Sequence, residues 1–404
     1  MSAPATIRPG SAGDAIDDVV PRHVVQPESP EELAQVLAGA ARDHEATVLR
    51  GGGTKLAWGR VPARVDLVVE TTRLDGLVAH RYGDMTATAQ AGMPLAALNR
   101  SLADHGQYLP VDSAFEGTTV GGMIATNDAG PLRHRFGTPR DLLIGITLAM
   151  TDGRLVKAGG TVVKNVAGYD LGKFISGSHG SLAAIVDATF KLLPIAHASA
   201  TLIASYTDAD AVARDVAALS ASQVEAVAFD LRVSDRDGAQ LLLRLASSPA
   251  ATEAQMAEAS RLLSSRPSVL TGEAERALWT DQVRLPWADG ATVVRLSWLP
   301  TSLPALLAAI ERIHRDGAGP ATFTGRAAGA GLLRLEGDAR ACAAAITQLR
   351  ASAEVGHVVI LRASRALKDQ VDVWGPPLGS AEVARALKRT FDPAGVLNAG
   401  RGPI

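Results

Sequence analysis

Three consecutive glycines follow directly on an apolar, strand-like segment in the order Thr47-Val48-Leu49-Arg50-Gly51-Gly52-Gly53-Thr54-Lys55. Such a run dictates a tight turn free of side chains at the end of a strand, because glycine takes positive φ at no steric cost and lets other backbone approach closely. Its successive N–H groups can form a concave nest for an anion, with Arg50 and Lys55 adding positive charge. The pyrophosphate of a dinucleotide suits such a nest. A plain turn is also compatible with the loop alone, so the surrounding chain has to decide.

Strand-like and helix-like segments alternate through the first half. Val24-Val25 reads as a strand, and Ser29-Pro30-Glu31-Glu32 combines a capping box with proline at the first helical position. Leu33, Val36, Leu37 and Ala40 then recur at helical spacing and lead into the strand at 47–49. Further strands are predicted at 67–69 and 85–89, with a helix over 94–104 closed by Gly106. A second subdomain starts near Pro110, where Gly117-Thr118-Thr119-Val120-Gly121-Gly122 and Ala125-Thr126-Asn127 leave room for a flat ligand against the backbone. Thr151-Asp152-Gly153-Arg154 joins apolar runs at 142–150 and 155–157, and its Asp-Gly centre predicts a type I′ hairpin. A last strand at 185–193 ends at Pro194.

Beyond residue 195 the composition shifts to Ala-rich amphipathic helices between strands: strand 201–206, helix 209–219, strand 226–232. A similar order returns at 291–298, 301–315, 331–336, 338–349 and 357–361, which fits a βαββαβ set. The expected class is α+β, with an N-terminal extension at 1–21, a two-subdomain unit at 22–195, and a ferredoxin-like domain at 196–404, duplicated if both sets form. A helix at 380–391 and a turn-rich tail to Gly400 close the chain.

A chain of 404 residues is long enough for two domains. Lys plus Arg total 40 against 42 Asp plus Glu, and aromatics are 4%, so neither a basic excess nor stacking rings point to nucleic acid. Cys342 stands alone, which excludes an internal disulfide or an iron–sulfur cluster held by this chain by itself and fits a reducing, cytoplasmic setting. Residues 1–18 show no secretion signal, and no apolar run approaches the ~20 residues that span a bilayer. Any membrane association is expected to come through partner subunits.

Other nucleotide and catalytic motifs fail on inspection. Gly168-Tyr169-Asp170-Leu171-Gly172-Lys173-Phe174 is one residue short of a P-loop and has Phe174 where a magnesium-binding hydroxyl belongs. Gly325-Arg326-Ala327-Ala328-Gly329-Ala330-Gly331 lacks the Rossmann spacing and precedes a strand. No two of the nine histidines could share a helical turn or strand, so no local metal pair exists, and there is no Gly-x-Ser-x-Gly elbow.

The glycine loop, Pro110-Val111-Asp112, Gly121-Gly122-Met123-Ile124-Ala125-Thr126-Asn127 and Gly168-Tyr169-Asp170-Leu171, in that order, resemble the vanillyl-alcohol-oxidase or PCMH-type FAD-binding family over residues 22–195. The resemblance implies that Arg50, Gly51, Gly52, Gly53, Thr54 and Lys55 hold the pyrophosphate of FAD. It implies that the 117–127 segment, with Thr118, Thr119, Gly121, Gly122, Ala125, Thr126 and Asn127, lines the ribityl chain, the pyrophosphate and the isoalloxazine edge. Pro110, Asp112, Gly137 and Arg140 complete the implied set, and Ile185 meets the flavin through its backbone. Asp112, Asn127 and Arg140 each have an ordinary structural reading as well: turn cap, loop-ordering side chain and surface ion pair.

Two departures bear on function. Relatives that tether flavin covalently have a histidine directly after the glycines, where this chain has Thr54, so FAD is expected to be noncovalent. Ala183 also stands where relatives usually have glycine. The second half resembles the FAD-linked oxidase C-terminal domain, including Phe391-Asp392-Pro393-Ala394-Gly395-Val396-Leu397-Asn398. Hydroxy-acid-oxidising relatives carry His-x-Gly-Asp-Gly-Asn-x-His there for a divalent metal. This chain has Ala327-Ala328-Gly329-Ala330-Gly331-Leu332-Leu333-Arg334, and neither Ala327 nor Arg334 can ligate. Val373-Trp374-Gly375 aligns with the family's Glu-His-Gly.

The pattern resembles the FAD-binding, E-type subunits of glycolate oxidase. That implies partners in a paralogous FAD catalytic subunit and an iron–sulfur subunit. Two alternatives stay open: a self-sufficient FAD-dependent D-2-hydroxy-acid or alcohol dehydrogenase with Lys164, Tyr169 or His179 as its base, and a structural subunit that has lost flavin chemistry.

Overall fold

The computed structural model describes residues 6–161, 169–234, 238–315, 321–326, 329–377 and 379–403. The chain divides into two compact units. The first comprises Met1–Ala129, Gly137–Ile195 and Pro376–Ile404, and the second Gly130–Phe136 and Ala196–Gly375. A boundary at residue 195 assigns the tail to the second unit, whereas Pro376–Ile404 packs within the first. The expected N-terminal extension also joins the first unit as a strand.

Two sheets build the first unit. One is ordered β1-β2-β4-β3, from β1 (Thr6–Pro9), β2 (His23–Gln26), β3 (Thr47–Arg50) and β4 (Leu67–Glu70). β2 and β3 both run parallel to β4, and β1 is antiparallel to β2. Side chains alternate across this sheet: Val25, Leu67 and Val69 pack with Leu33, Leu37 and Ala40 of the Pro30–Arg42 helix, while Val24, Val48 and Val68 pack with Ile16 and Val65 on the other face. The helix starts at Ser29, whose hydroxyl accepts from Glu32 N–H at 3.2 Å. The reciprocal half of the expected capping box is shifted by one residue, because the Glu32 carboxylate accepts from Glu28 N–H at 2.8 Å.

The other sheet is antiparallel, ordered β5-β6-β10-β8-β9, from β5 (Leu77–Arg81), β6 (Thr86–Gln90), β8 (Leu143–Ala149), β9 (Leu155–Gly159) and β10 (Ala184–Lys191). Its core includes Leu98 and Leu102 of the Leu95–Ala103 helix and Val120, Met123 and Ile124 of the Val120–Thr126 helix. Two-residue strands β7 (Gln107–Tyr108) and β11 (Leu193–Pro194) pair nearby. The β8–β9 hairpin forms with a different turn from the one its Asp-Gly predicts. Only Gly153 has positive φ, at 86°; Asp152 does not, as type I′ requires. Met150 N–H donates to the Arg154 carbonyl and Gly153 N–H to that of Met150, which closes a three-residue loop.

The second unit is a duplicated ferredoxin-like fold, and the sheet order shows it. The first set runs β12 (Ala198–Tyr206), helix Ala209–Ser220, β13 (Ala228–Ser234), β14 (Gly238–Ser247), helix Pro249–Leu262 and β15 (Ser268–Thr271). The second runs β16 (Thr292–Trp298), helix Leu303–Arg315, β17 (Ala321–Arg326), β18 (Ala330–Leu335), helix Ala339–Ala351 and β19 (Val355–Arg362). They merge into one eight-stranded sheet, β15-β12-β14-β13-β17-β18-β16-β19, in which the second set repeats the first in mirror order about the β13–β17 pair. One face carries the main core, with Leu243, Phe229, Phe323, Leu333, Val294 and Ile360 against the four helices.

An additional helix, Gly272–Arg284, brings Glu275 onto the β12–β14 pair. This carboxylate is 2% exposed and accepts from Ser199 Oγ at 2.6 Å, Thr201 Oγ1 at 3.0 Å and Arg244 Nε at 3.1 Å. Removing one partner of a buried pair strands the other charge. Glu275→Ala should lower unfolding free energy by about 3 kcal/mol, read as a lower denaturant midpoint.

Candidate cofactor site

The glycine loop opens a cleft within the first unit. Strand β3 aims the loop, and two of its glycines are required by how closely the loop meets residues 117–119. A Cβ on Gly52 would overlap the Gly117 carbonyl oxygen, and one on Gly51 would overlap the Thr119 hydroxyl. Gly53 is needed for its backbone, with φ +72°. Among the described residues, the N–H groups of Gly51, Gly52, Gly53 and Thr54 donate no hydrogen bond. Successive backbone donors without partners along a cleft form the nest that an anionic group requires.

The cations expected to assist are already engaged. Arg50 Nη2 lies 2.9 Å from both Asp14 Oδ1 and Glu70 Oε2, and Arg8 makes two 2.7 Å hydrogen bonds to Asp14. Two guanidinium groups therefore face two carboxylates with no net charge. Arg8, with help from Ser11 and Arg50, holds the Asp14 carboxyl well below the usual carboxylate range. Lys55, 5% exposed, pairs with Asp128 at 3.2 Å and lies over the Phe115 ring. Positive potential at the cleft thus comes from backbone dipoles more than from these side chains.

The remaining expected residues divide into cleft wall and support. Thr119, Gly121, Gly122, Ala125, Thr126 and Ile185 line the cleft with the glycine loop. Gly121 packs on Ala91, whose Cβ would sit 2.8 Å from an added Cβ. Thr118 stands behind the wall and accepts from Lys55 Nζ at 3.3 Å. Pro110 is buried and Asp112 half-buried, and neither lines the cleft. Asn127, Gly137 and Arg140 form a separate structural set. Asn127 caps the Val120–Thr126 helix with φ 47° and accepts from Arg140 N–H at 3.2 Å, while Gly137 sits where a Cβ would strike Asp141. The Arg140 side chain is exposed.

Of the three candidate bases, His179 lines the cleft, its ring 6.3 Å from Trp58. Tyr169 is 85% exposed and off the cleft, and Lys164 lies outside the described residues. His179 takes φ 53°, between Gly177 and Gly180, also at positive φ, with its N–H on the Ala125 carbonyl at 2.7 Å. The neighbouring Ser178 hydroxyl is buried without a partner among the described residues.

The wall residues that sequence reasoning missed include Trp58, Ser178, Asn398 and Arg401. Asn398 ended the quoted Phe-Asp-Pro motif, which was the available signal; Arg401 and Trp58 had none. Burial pushes the Arg401 guanidinium below its ordinary value, and burial does the same to Lys388 against the opposing pull of Asp392.

In the second unit, Arg334 occupies the expected ligand position and is committed to structural partners, with Nη1 on the Leu285 carbonyl at 2.9 Å and Nη2 on Glu336 at 2.7 Å. Ala327 lies outside the described residues. Among the described residues, no group of three His, Cys, Asp or Glu side chains could hold a metal ion, and no helix is long and apolar enough to cross a membrane.

A nest of free amides, an unpartnered buried hydroxyl and a glycine-built wall fit a dinucleotide. Residues 21–159 match the family model described as FAD binding domain. This part of the chain is an FAD-binding domain. The chain is 31% identical to glycolate oxidase subunit GlcD of Bacillus subtilis over 51% of this chain and 44% of that protein. It is 34% identical to glycolate oxidase subunit GlcE of Escherichia coli over 43% and 49%, and 36% identical to D-lactate dehydrogenase of Archaeoglobus fulgidus over 42% and 38%. It thus spans under half the length of each of these relatives. A solved structure of alkyldihydroxyacetonephosphate synthase matches with TM-score 0.70 at 16% identity, over 95% of this chain and 76% of that one. That likeness is one of PCMH-type fold, which the FAD domain shares.

Two outcomes follow from this geometry. Gly52→Ala should part the loop from Gly117, so the purified full chain retains much less flavin per protein by visible absorbance. A carboxyl depressed by folding contributes stability fully above its unfolded pKa of about 3.9, and the contribution fades as pH falls below that value. Thermal melts between about pH 5 and 3 should therefore decline more steeply for the wild type than for Asp14→Asn.

Proposed function

We propose that this chain is a noncovalent FAD-binding subunit of a multi-subunit glycolate oxidase, which converts glycolate to glyoxylate and passes electrons between subunits. Its partners are a paralogous FAD subunit that carries most of the substrate oxidation and an iron–sulfur subunit. The carrying observation is Arg334 held by Glu336 and Leu285 where hydroxy-acid-oxidising relatives have a metal-binding histidine, in a chain whose FAD cleft keeps its free donors. Arginine stays protonated and offers no lone pair to a metal. Relatives named as glycolate oxidase subunits support the multi-subunit reading.

In this reading the N–H groups of Gly51 to Thr54 bind the pyrophosphate and the Ser178 hydroxyl meets a polar group of the cofactor. Bound flavin supplies two-electron redox chemistry toward a CH–OH donor. Thr54 follows the glycines and offers no imidazole for a covalent tether, so FAD stays exchangeable. The runner-up, a self-sufficient D-2-hydroxy-acid or alcohol dehydrogenase, draws on one observation: His179 is a titratable group on the cleft wall.

Anaerobic titration separates the two. The isolated chain should hold flavin that acid precipitation releases, should stay oxidised with glycolate or D-lactate, and should be reduced when the partner subunits are added. Bleaching by either acid in the isolated chain would favour the dehydrogenase and sink the subunit proposal. Flavin that stays on the precipitated polypeptide would overturn noncovalent binding.

A further inference from the structure

The tail at 388–402 ties together three segments of the cleft wall that lie far apart in sequence. Thr47 N–H donates to the Val396 carbonyl at 2.9 Å and Asn398 N–H to that of Thr47 at 2.7 Å, so the tail pairs with β3 just before the glycine loop. Asn398 Nδ2 donates to the His179 carbonyl at 2.8 Å, and its Oδ1 accepts from Arg401 Nη1 at 3.2 Å. Arg401, 3% exposed, donates to the carbonyls of Leu56, Trp58 at 2.9 Å and Arg60 at 3.2 Å. Lys388 Nζ donates to the Ser181 and Leu397 carbonyls, both at 2.7 Å, and pairs with the buried Asp392 at 2.6 Å. Asp392 in turn accepts from Leu397 N–H at 2.8 Å.

Each contact ends on a backbone carbonyl next to the cleft or on the residue that reaches it. The guanidinium spans the chain just past the glycine loop, the carboxamide holds the turn in which His179 keeps its left-handed backbone, and the ammonium fixes the same turn two residues on. A non-glycine residue in that region persists only where its surroundings hold it.

We infer that Lys388, Asn398 and Arg401 are positioning residues for the dinucleotide, acting as a buckle that sets the distance between the glycine loop and the 178–181 turn. The inference rests on the FAD reading of the cleft. It differs from that reading in placing much of the affinity in side chains that donate to protein carbonyls. Loss of one such buried anchor is expected to weaken FAD about tenfold, near the value of one well-made hydrogen bond.

The test uses the full chain, freed of flavin and titrated with FAD in two ways: protein fluorescence gives Kd, and the melting temperature is followed with and without FAD. A ligand at free concentration L that binds only the folded state stabilises it by RT ln(1 + L/Kd), so at a fixed FAD concentration the induced rise shrinks as Kd grows. Asn398→Ala and Arg401→Ala should each raise Kd about tenfold and shrink the FAD-induced rise, and Arg401→Lys should recover part of both. Asn398→Ala leaves the Arg401 contacts to Leu56, Trp58 and Arg60 in place, so it decides the matter if Arg401→Ala does not fold. Wild-type affinity and an undiminished FAD-induced rise in these variants, even with a lowered baseline, would assign the tail to stability alone and overturn the inference. A wild-type chain that binds no FAD would instead overturn the FAD reading, and the inference with it.

Discussion

Two stretches of backbone, at Gly51-Gly52 and at 117–119, lie so close that a single methyl group on either glycine has nowhere to go. That approach decides the chemistry of the cleft. It brings the end of β3 against the start of a short helix from the other subdomain, and among the described residues the loop's own N–H groups donate no hydrogen bond. A loop with side chains would fill the gap and cover the donors. The glycines are therefore structural and functional at once, with Gly51 and Gly52 chosen for closeness and Gly53 for its left-handed backbone.

Charge plays a smaller part than a basic residue at each end of the loop implies. Arg50 and Lys55 both sit beside carboxylates, and their fields are largely cancelled before any ligand arrives. An anion held mainly by oriented amides is held by fixed dipoles, whose attraction needs no side chain to be immobilised. The paired arginine has a different use: it fastens the strand end to the N-terminal segment through Asp14.

How much could be read in advance depended on how local the cause was. The glycine loop, the β2–helix–β3 start and the repeated strand–helix order of the second unit all follow from patterns within a few tens of residues, and all are found. The second ferredoxin-like set was legible because it repeats the first. Turn details were less so: the Asp152-Gly153 hairpin closes through three residues, and the Glu32 carboxylate caps one residue early, because each depends on the geometry of flanking elements. The fate of Arg50 depends on Asp14 and Glu70, and that of the tail on contacts such as Arg401 to Arg60, 341 positions apart. No periodicity records such pairings. Pro110, Asp112, Thr118, Asn127, Gly137 and Arg140 were implied by the resemblance yet lie off the wall, since a family pattern marks a shape as readily as a point of contact.

The first unit is interrupted: its sheet edge at Thr47 is completed by residues that follow the whole of the second unit. Whatever lies between Ile195 and Pro376 must deliver the chain back to that edge, and this is a demand on exits, not on contents. The inserted unit can thus vary in sequence while the crossings at Ile195–Ala196 and Gly375–Pro376 stay fixed. Interrupted architecture lets one cofactor domain be fitted with different chemistries, and it forbids cutting that domain out as a continuous piece.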